Sequence, residues 1–327
     1  MDTLIQNGTD WIIAIQSLGN WLELPMLFFT ALGNENFFFL VLPLVYWSVD
    51  TGLGLRIAFI LAASNYLNTI VKLLFAAPRP YWVSAQVKPF LHENSFGIPS
   101  GHAQNSAAFT GIAAAWLRKP WVWVVALLIT FFVGFSRLYL GVHFVHDVVV
   151  GWGLGYLLLL LFTRFWEPLV AWLRTKTLAR QITLAFLISM LMLTIGVLTT
   201  ARLSGYVFPE EWAENARRAG PLPDPVSFED TFTSAGSFFG LAVGAVWIAA
   251  RGGFQTSGPL EKRALRYVIG LVGILLLWFG LGELFPDGEA IFALLLRYLR
   301  YFLVGFWITG AAPWLFFHFN LVRQPKM

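Results

Sequence analysis

Eight residues in the first half of the chain have types and spacings suited to phosphoryl chemistry. In SRLYLGVHFVHD, Asp147 follows His143 by four residues, the separation at which side chains meet on one helical face. Its carboxylate can then accept one ring N–H and leave the other ring nitrogen free as a nucleophile, although a His–Asp pair at a helix end is also an ordinary structural contact. In PSGH, the Ser100 hydroxyl and the N–H groups of a helix start can point at an anion, with His102 beside them and Gly101 allowing close approach. Ser100 would cap a helix whatever the function. In KLLFAAPRP, Lys72 and Arg79 stand seven residues apart, almost back on one face, but Pro78 and Pro80 predict that the helix stops first and leaves Arg79 extended. Taken alone, these two cations could simply snorkel to lipid headgroups. Arg137, beside Ser136, adds a third cation.

The elements that carry these groups are membrane helices. Of the 327 residues, 57% are hydrophobic and only 12% charged, whereas soluble domains carry about 25% charged residues. Nine apolar stretches approach the ~20 residues that a bilayer crossing needs: 32–47, 53–75, 103–117, 121–139, 148–165, 182–198, 232–250, 268–284 and 301–319. The run 22–32 holds Pro25, is too short to span and is expected to lie at the interface. No cleavable signal is expected at the polar opening around Gln6, Asn7 and Asp10. With no cysteine, disulfides, thiolate catalysis and cysteine-based zinc sites are excluded. A dispersed net charge of +4 argues against nucleic acid as a partner.

Charge orients the nine expected spans. Arg118, Lys119, Arg174, Lys176, Arg180, Lys262, Arg263 and Arg266 collect in one set of loops, while Glu93, Glu210, Glu211, Glu214, Asp224, Glu283, Asp287 and Glu289 collect in the other. The excess of Lys and Arg in cytoplasmic loops then sets the N-terminus outside, the C-terminus in the cytoplasm and the eight residues outward. The expected organisation is an all-α polytopic bundle: an interfacial segment 1–31, a core 32–200 built on six helices, an outer loop 201–230 and a three-helix extension 231–327. Charged and imidazole groups beside a bilayer are costly, so their gathering at the ends of consecutive helices on one side is a poor match to chance.

Taken together, Lys72-x6-Arg79-Pro80, Pro99-Ser100-Gly101-His102 and Ser136-Arg137-x5-His143-x3-Asp147 resemble the complete three-part signature of the type-2 phosphatidic acid phosphatase and vanadium haloperoxidase superfamily. No motif position departs from it. The nine spans and LNTIVKLLFAAPRPYW are similar to its glucose-6-phosphatase and sphingoid-base-phosphate phosphatase branch. The resemblance implies a phosphoric monoester hydrolase acting on a lipid phosphate such as phosphatidate, lysophosphatidate or a sphingoid-base phosphate. It makes His143 the nucleophile that carries a phosphohistidine, Asp147 its orienting partner and His102 the general acid and base. Lys72, Arg79, Ser100, Gly101 and Arg137 would bind the phosphoryl oxygens. Three fixed cations can do the electrostatic work of a divalent metal, so no metal or other cofactor is expected.

The expected partners are the lipid phosphate substrate and membrane lipids, in a bacterial inner or plasma membrane with the site on the extracytoplasmic face. Polyprenyl diphosphate hydrolysis and phosphate transfer to a lipid acceptor use the same chemistry, and a lipid transporter or scramblase would bind a headgroup without cleaving it. A haloperoxidase is disfavoured because enzymes of that activity are soluble. Four further features carry less: His146 is expected to point away from His143, Glu93 to be an ordinary loop residue, Arg297 and Arg300 to anchor at an interface, and Tyr81 and Trp82 to sit in an aromatic belt or wall the site.

Overall fold

The structure, a computed structural model, describes residues 2–323, with side chains from residue 6 onward; residues 1 and 324–327 lie outside the described residues. Every regular element among them is helical: α1 (Asp2–Gln16), α2 (Glu23–Leu32), α3 (Glu35–Ser48), α4 (Thr51–Phe75), α5 (Pro80–Val83), α6 (Gly101–Leu117), α7 (Pro120–Tyr139), α8 (Val145–Arg174), α9 (Leu178–Ala201), α10 (Glu210–Ala216), α11 (Glu229–Ala249), α12 (Leu260–Leu275), α13 (Leu281–Leu284), α14 (Ile291–Phe306) and α15 (Ala312–His318). Without water, backbone N–H and C=O groups must pair within the chain, and a helix does this inside one segment.

Among the described residues, seven helical segments are long and apolar enough to cross a membrane, or eight if the bent N-terminal pair is one span: Thr51–Val83, Pro120–Tyr139, Val145–Arg174, Leu178–Ala201, Glu229–Ala249, Leu260–Leu284 and Ile291–His318. The expected count of nine is therefore not reached by length. The two stretches that fall short are α3, with 14 residues and Pro43 inside it, and α6, with 17. At 1.5 Å per residue they reach only about 21 and 26 Å of a ~30 Å core. The N-terminal pair Gln6–Gln16 and Asn20–Leu32 is bent by 86° at the break between them.

Contacts divide the chain into two compact units. One comprises Met1–Phe37, Leu67–Leu160 and Leu198–Ser227. Its core gathers Ile12, Met26, Tyr81, Trp82, Phe96, Leu140, Val142, Phe144 and Val148, all buried, with α7 packed on both α2 and α6. Ring contacts between Trp82 and Phe96, Trp82 and Phe208, and Phe96 and Tyr206 lie at centroid distances of 6.5, 4.9 and 5.4 Å. Edge-on aromatic pairs contribute about 0.5–1.5 kcal/mol each beyond burial. Tyr81 and Trp82 are thus fully buried, not members of a lipid-facing belt.

The other unit comprises Phe38–Tyr66, Leu161–Val197 and Phe228–Met327. Here α11 lies against α14 at close range, since a Cβ on Gly236 or Gly240 would stand 2.4 or 2.1 Å from the carbonyls of Tyr298 and Phe302. Small residues on a membrane helix permit such approach. Arg297, expected from the sequence to anchor at an interface, pairs with Glu229.

Candidate active site

Three stretches of the first unit build the site, and each begins where a helix stops or starts. After Phe75 the chain leaves α4, passes Pro78 and holds Arg79 extended at φ −99° and ψ 157°, as the two prolines predict. The Arg79 guanidinium is fully buried. Its Nε donates to Ser95 O at 2.6 Å, Nη2 to Ser95 Oγ and Phe96 O at 3.1 Å each, and Nη1 to Val142 O at 2.9 Å. Lys72, on the last turn of α4, reaches Ser95 Oγ at 2.6 Å. Ser95 therefore ties the two cations together, a role that its position in a loop did not reveal.

The second stretch starts α6. Ser100 is its N-cap and its hydroxyl accepts from the Ala103 N–H at 3.5 Å, so Ser100 does cap the helix. Asn68 braces the turn, donating to Pro99 O at 3.3 Å and to Gln104 Oε1 at 3.0 Å. A Cβ on Gly101 would stand 3.2 Å from Asn68 Oδ1, a tight contact that glycine avoids. His102 follows, within electrostatic reach of Arg137, Glu93, Lys72 and Arg79, and of His143.

The third stretch joins α7 to α8. His143 precedes α8 in a turn, so its pairing with Asp147 does not arise from a shared helical face. Asp147 is the third residue of α8, and its Oδ2 turns back to accept the N–H of Phe144, the helix cap, at 2.9 Å while standing 3.2 Å from His143 Nδ1. This is the reach of a capping box, with the ring bonded in the same stroke. His143 Nε2 lies 3.2 Å from Arg79 Nη1. Burial, followed by Arg79, Arg137, Lys72 and His102, pushes the His143 imidazole well below its ordinary pKa and so favours the neutral ring. His146 stacks on Phe144 with centroids 5.2 Å apart and sets its Nε2 3.2 Å from Asp147 Oδ1, on the far side of the carboxylate from His143.

The second and third stretches are locked together. Ser100 N donates to Asp147 O at 2.9 Å. A Cβ on Gly151 of α8 would stand 2.6 Å from Ser100 O, so only glycine lets the two helices meet this closely. Arg137, at the end of α7, is fully buried; Nη1 donates to Thr30 Oγ1 of α2 and Nη2 to Glu93 Oε1, while Nε has no hydrogen-bond partner. Glu93 also stands 3.7 Å from Arg79 Nη2 through its other oxygen. Burial pushes the Glu93 carboxyl up, but Arg137 and Arg79 outweigh it and hold the group below the usual carboxylate range.

All eight residues singled out by spacing thus belong to one unit, and direct contacts or electrostatic proximity join Lys72, Arg79, His102, Arg137, His143 and Asp147. Sequence reasoning passed over Ser95 and Thr30 and undervalued Glu93. Only Glu93 had a legible signal, as a carboxylate in the loop just before PSGH.

The description "PAP2 superfamily" matches residues 53–171, and "PAP2 superfamily phosphatase, transmembrane extension" matches 232–324. Phosphatidylglycerophosphatase B of Bacillus subtilis (strain 168) is 34% identical over 165 residues, which cover 46% of this chain and 77% of that protein. The chain belongs to the PAP2 superfamily. Among its other relatives, lipid phosphate phosphatase delta of Arabidopsis thaliana is 26% identical over 53% of this chain and 45% of its own length. Sphingosine-1-phosphate phosphatase 2 of Mus musculus is 31% identical over 38% and 37%. The chain spans less than half the length of these two relatives. The crystal structure of a transmembrane PAP2-type phosphatidylglycerolphosphate phosphatase from Bacillus subtilis is 28% identical, covering 51% of this chain and 88% of that one with a TM-score of 0.44. Like the family's transmembrane extension, the apolar helices make this PAP2 member an integral membrane protein.

Proposed function

We propose that the chain hydrolyses a lipid phosphate monoester through a phosphohistidine on His143, without a metal. The observation that carries this reading is the state of the His143 ring: Asp147 holds Nδ1, and Nε2 faces the Arg79 guanidinium at 3.2 Å. With its proton on Nδ1, the ring presents the Nε2 lone pair where cations would draw a phosphoryl group. In the first step Nε2 attacks phosphorus, the P–O ester bond breaks, and the leaving alkoxide takes a proton from His102, whose charged form, disfavoured by burial and Arg137, is restored by the negative charge of the bound phosphate, which brings the proton with it. In the second, neutral His102 takes a proton from water as the water oxygen attacks phosphorus, the P–N bond breaks, and phosphate leaves with His143 neutral again.

Lys72, Arg79 and Arg137 stabilise the charge spread over the three equatorial oxygens, with the unpartnered Arg137 Nε as a further donor. Ser100 and the Gly101 N–H complete the cradle at the positive end of α6. A site fed from a bilayer can take an amphiphile with its tail still in hydrocarbon. The names of the relatives from bacterium, plant and mouse, each a lipid-phosphate phosphatase, support that substrate class. In the same reading residues 32–200 hold the catalytic machinery, 201–230 form an outer loop, and 231–327 extend the bundle. The site faces the extracytoplasmic side of a bacterial inner or plasma membrane, and the C-terminus is cytoplasmic.

The test is phosphate release by purified protein in detergent with EDTA. The panel comprises phosphatidate, lysophosphatidate, sphingosine phosphate, phosphatidylglycerophosphate and a polyprenyl diphosphate. Release from a monoester that His143→Ala abolishes supports the reading, and release that survives that substitution overturns it. Preference for the diphosphate, or phosphate appearing on a lipid acceptor, would redirect the substrate while keeping the chemistry.

A further inference from the structure

The proposed reaction leaves one buried contact unexplained. Glu93 bonds to Arg137 Nη2 through one oxygen and approaches Arg79 Nη2 to 3.7 Å through the other. Those are the guanidiniums that the phosphoryl oxygens require, and the charges acting on Glu93 also include His102 and Lys72. A carboxylate presents two oxygens to a guanidinium fork much as a phosphoryl group does. Glu93 thus occupies ground that the substrate must take, and two anions cannot share it without mutual repulsion.

The main chain at this position is pinned. Tyr81 Oη donates to Glu93 O at 3.3 Å and accepts from Glu93 N at 3.2 Å, while His92 Nε2 lies 2.8 Å from Pro221 O in the loop before α11. The side chain is 23% exposed, unlike the sealed guanidiniums it touches. The backbone is therefore held by hydrogen bonds while the side chain stays partly open to solvent.

We propose that Glu93 is a tethered competitor for the phosphoryl site: its carboxylate holds Arg137 and Arg79 between turnovers, swings outward when the lipid phosphate enters, and returns to displace inorganic phosphate. The inference rests on the phosphatase reading and deepens it. Without the competitor, Lys72, Arg79, Arg137, Ser100 and the Gly101 N–H would hold the product dianion as firmly as the substrate, and release would become slow. A site available for only about a tenth of the time binds tenfold more weakly than its intrinsic affinity, and that factor returns when the competitor is removed.

Inorganic phosphate is the probe. Its binding to purified full-length wild type, Glu93→Gln and Glu93→Ala is measured by calorimetric titration, and its inhibition of lipid turnover in parallel. Both variants are expected to bind phosphate about tenfold more tightly, with kcat and KM falling together as release becomes limiting. In wild type, where no folding question arises, phosphate is expected to move the Glu93 carboxyl 13C resonance toward that of a solvated glutamate. Phosphate affinity equal to or weaker than wild type in the variants, or an unmoved resonance in wild type at saturation, overturns the proposal. Failure of the phosphatase reading looks different: phosphate release would survive His143→Ala whatever these titrations show.

Discussion

Asp147 Oδ2 serves two donors one residue apart, the Phe144 N–H at 2.9 Å and His143 Nδ1 at 3.2 Å. One carboxylate both starts the helix and sets the tautomer of the ring that precedes it. Asp147→Asn keeps an acceptor for one of these donors but presents an amide N–H₂ to the other. We expect kcat to fall by at least ~100-fold, because the ring loses its enforced orientation and the charge that steadies it. The loss of folding stability should be no more than about 1 kcal/mol, the scale of a helix cap. Steady-state kinetics beside thermal unfolding in detergent would separate the two, and a variant that unfolds without a selective loss of kcat contradicts this account.

The partly buried Ser95 hydroxyl meets both Lys72 and Arg79. Ser95→Ala leaves the Arg79 bonds to Ser95 O, Phe96 O and Val142 O in place, so it should loosen the cations without dispersing them. A roughly 10-fold fall in kcat/KM is expected, comparable to losing one hydrogen bond to a charged group. Arg79→Lys should cost far more, on the order of 100-fold, because an ammonium cannot fill a fork that reaches four acceptors. Equal effects of the two substitutions would show that Ser95 is not the tie between the cations.

Burial and the surrounding cations push the His143 pKa down and favour the neutral ring. An imidazole whose folded pKa lies below its unfolded value binds fewer protons folded than unfolded across that interval. Its contribution to stability is therefore present above the ordinary imidazole pKa and is lost as pH falls below it. As the proposed nucleophile, the ring is expected to stay active through the same interval. Imidazole NMR should show His143 unprotonated at pH 5.5, where an exposed histidine is mostly charged. The acid limb of kcat/KM near pH 6 should then follow the second ionisation of the substrate phosphate instead. Titration of His143 near its ordinary value would contradict this.

Much of the site was legible because phosphoryl chemistry demands charged and imidazole groups that a bilayer-facing helix rarely carries. Lys72, Arg79, His102, Arg137, His143 and Asp147 stand out by type, and Ser100 only by its place in PSGH. What spacing misread was cause: His143 and Asp147 meet because a cap turns back, not because four residues complete a helical turn. Ser95 and Thr30 were invisible, since a serine and a threonine in an apolar chain have many uses and only the fold brings their hydroxyls to Lys72, Arg79 and Arg137. Tyr81 and Trp82 misled for a related reason. Aromatic side chains at the end of a membrane helix suit the interface, and here the segment around Phe96, Tyr206 and Phe208 covers Trp82 instead. The count of nine is not confirmed at α3 and α6, whose apolar character is clear but which have only 14 and 17 residues, α6 ending at the Arg118 left-handed cap.

Gly151 gives a test of how closely the cradle and the nucleophile must be held. It sits on α8 four residues after Asp147, and an added Cβ would come within 2.6 Å of Ser100 O and 3.2 Å of the Ala103 Cβ. The first of these is backbone at the start of α6, which cannot swing aside, so Gly151→Ala must push α8 and α6 apart. Overpacking of this kind costs about 1–3 kcal/mol. The larger effect should be on chemistry, because the displaced elements carry Ser100 and His102 on one side and His143 and Asp147 on the other. A misplacement near 1 Å costs about 100-fold in rate. We therefore expect Gly151→Ala to lose kcat by that order while inorganic phosphate still binds within a few-fold of wild type, since Lys72, Arg79 and Arg137 lie on other elements. Parallel measurement of kcat and phosphate affinity decides it: equal losses of both would mean that the whole site, and not the in-line alignment alone, depends on this contact.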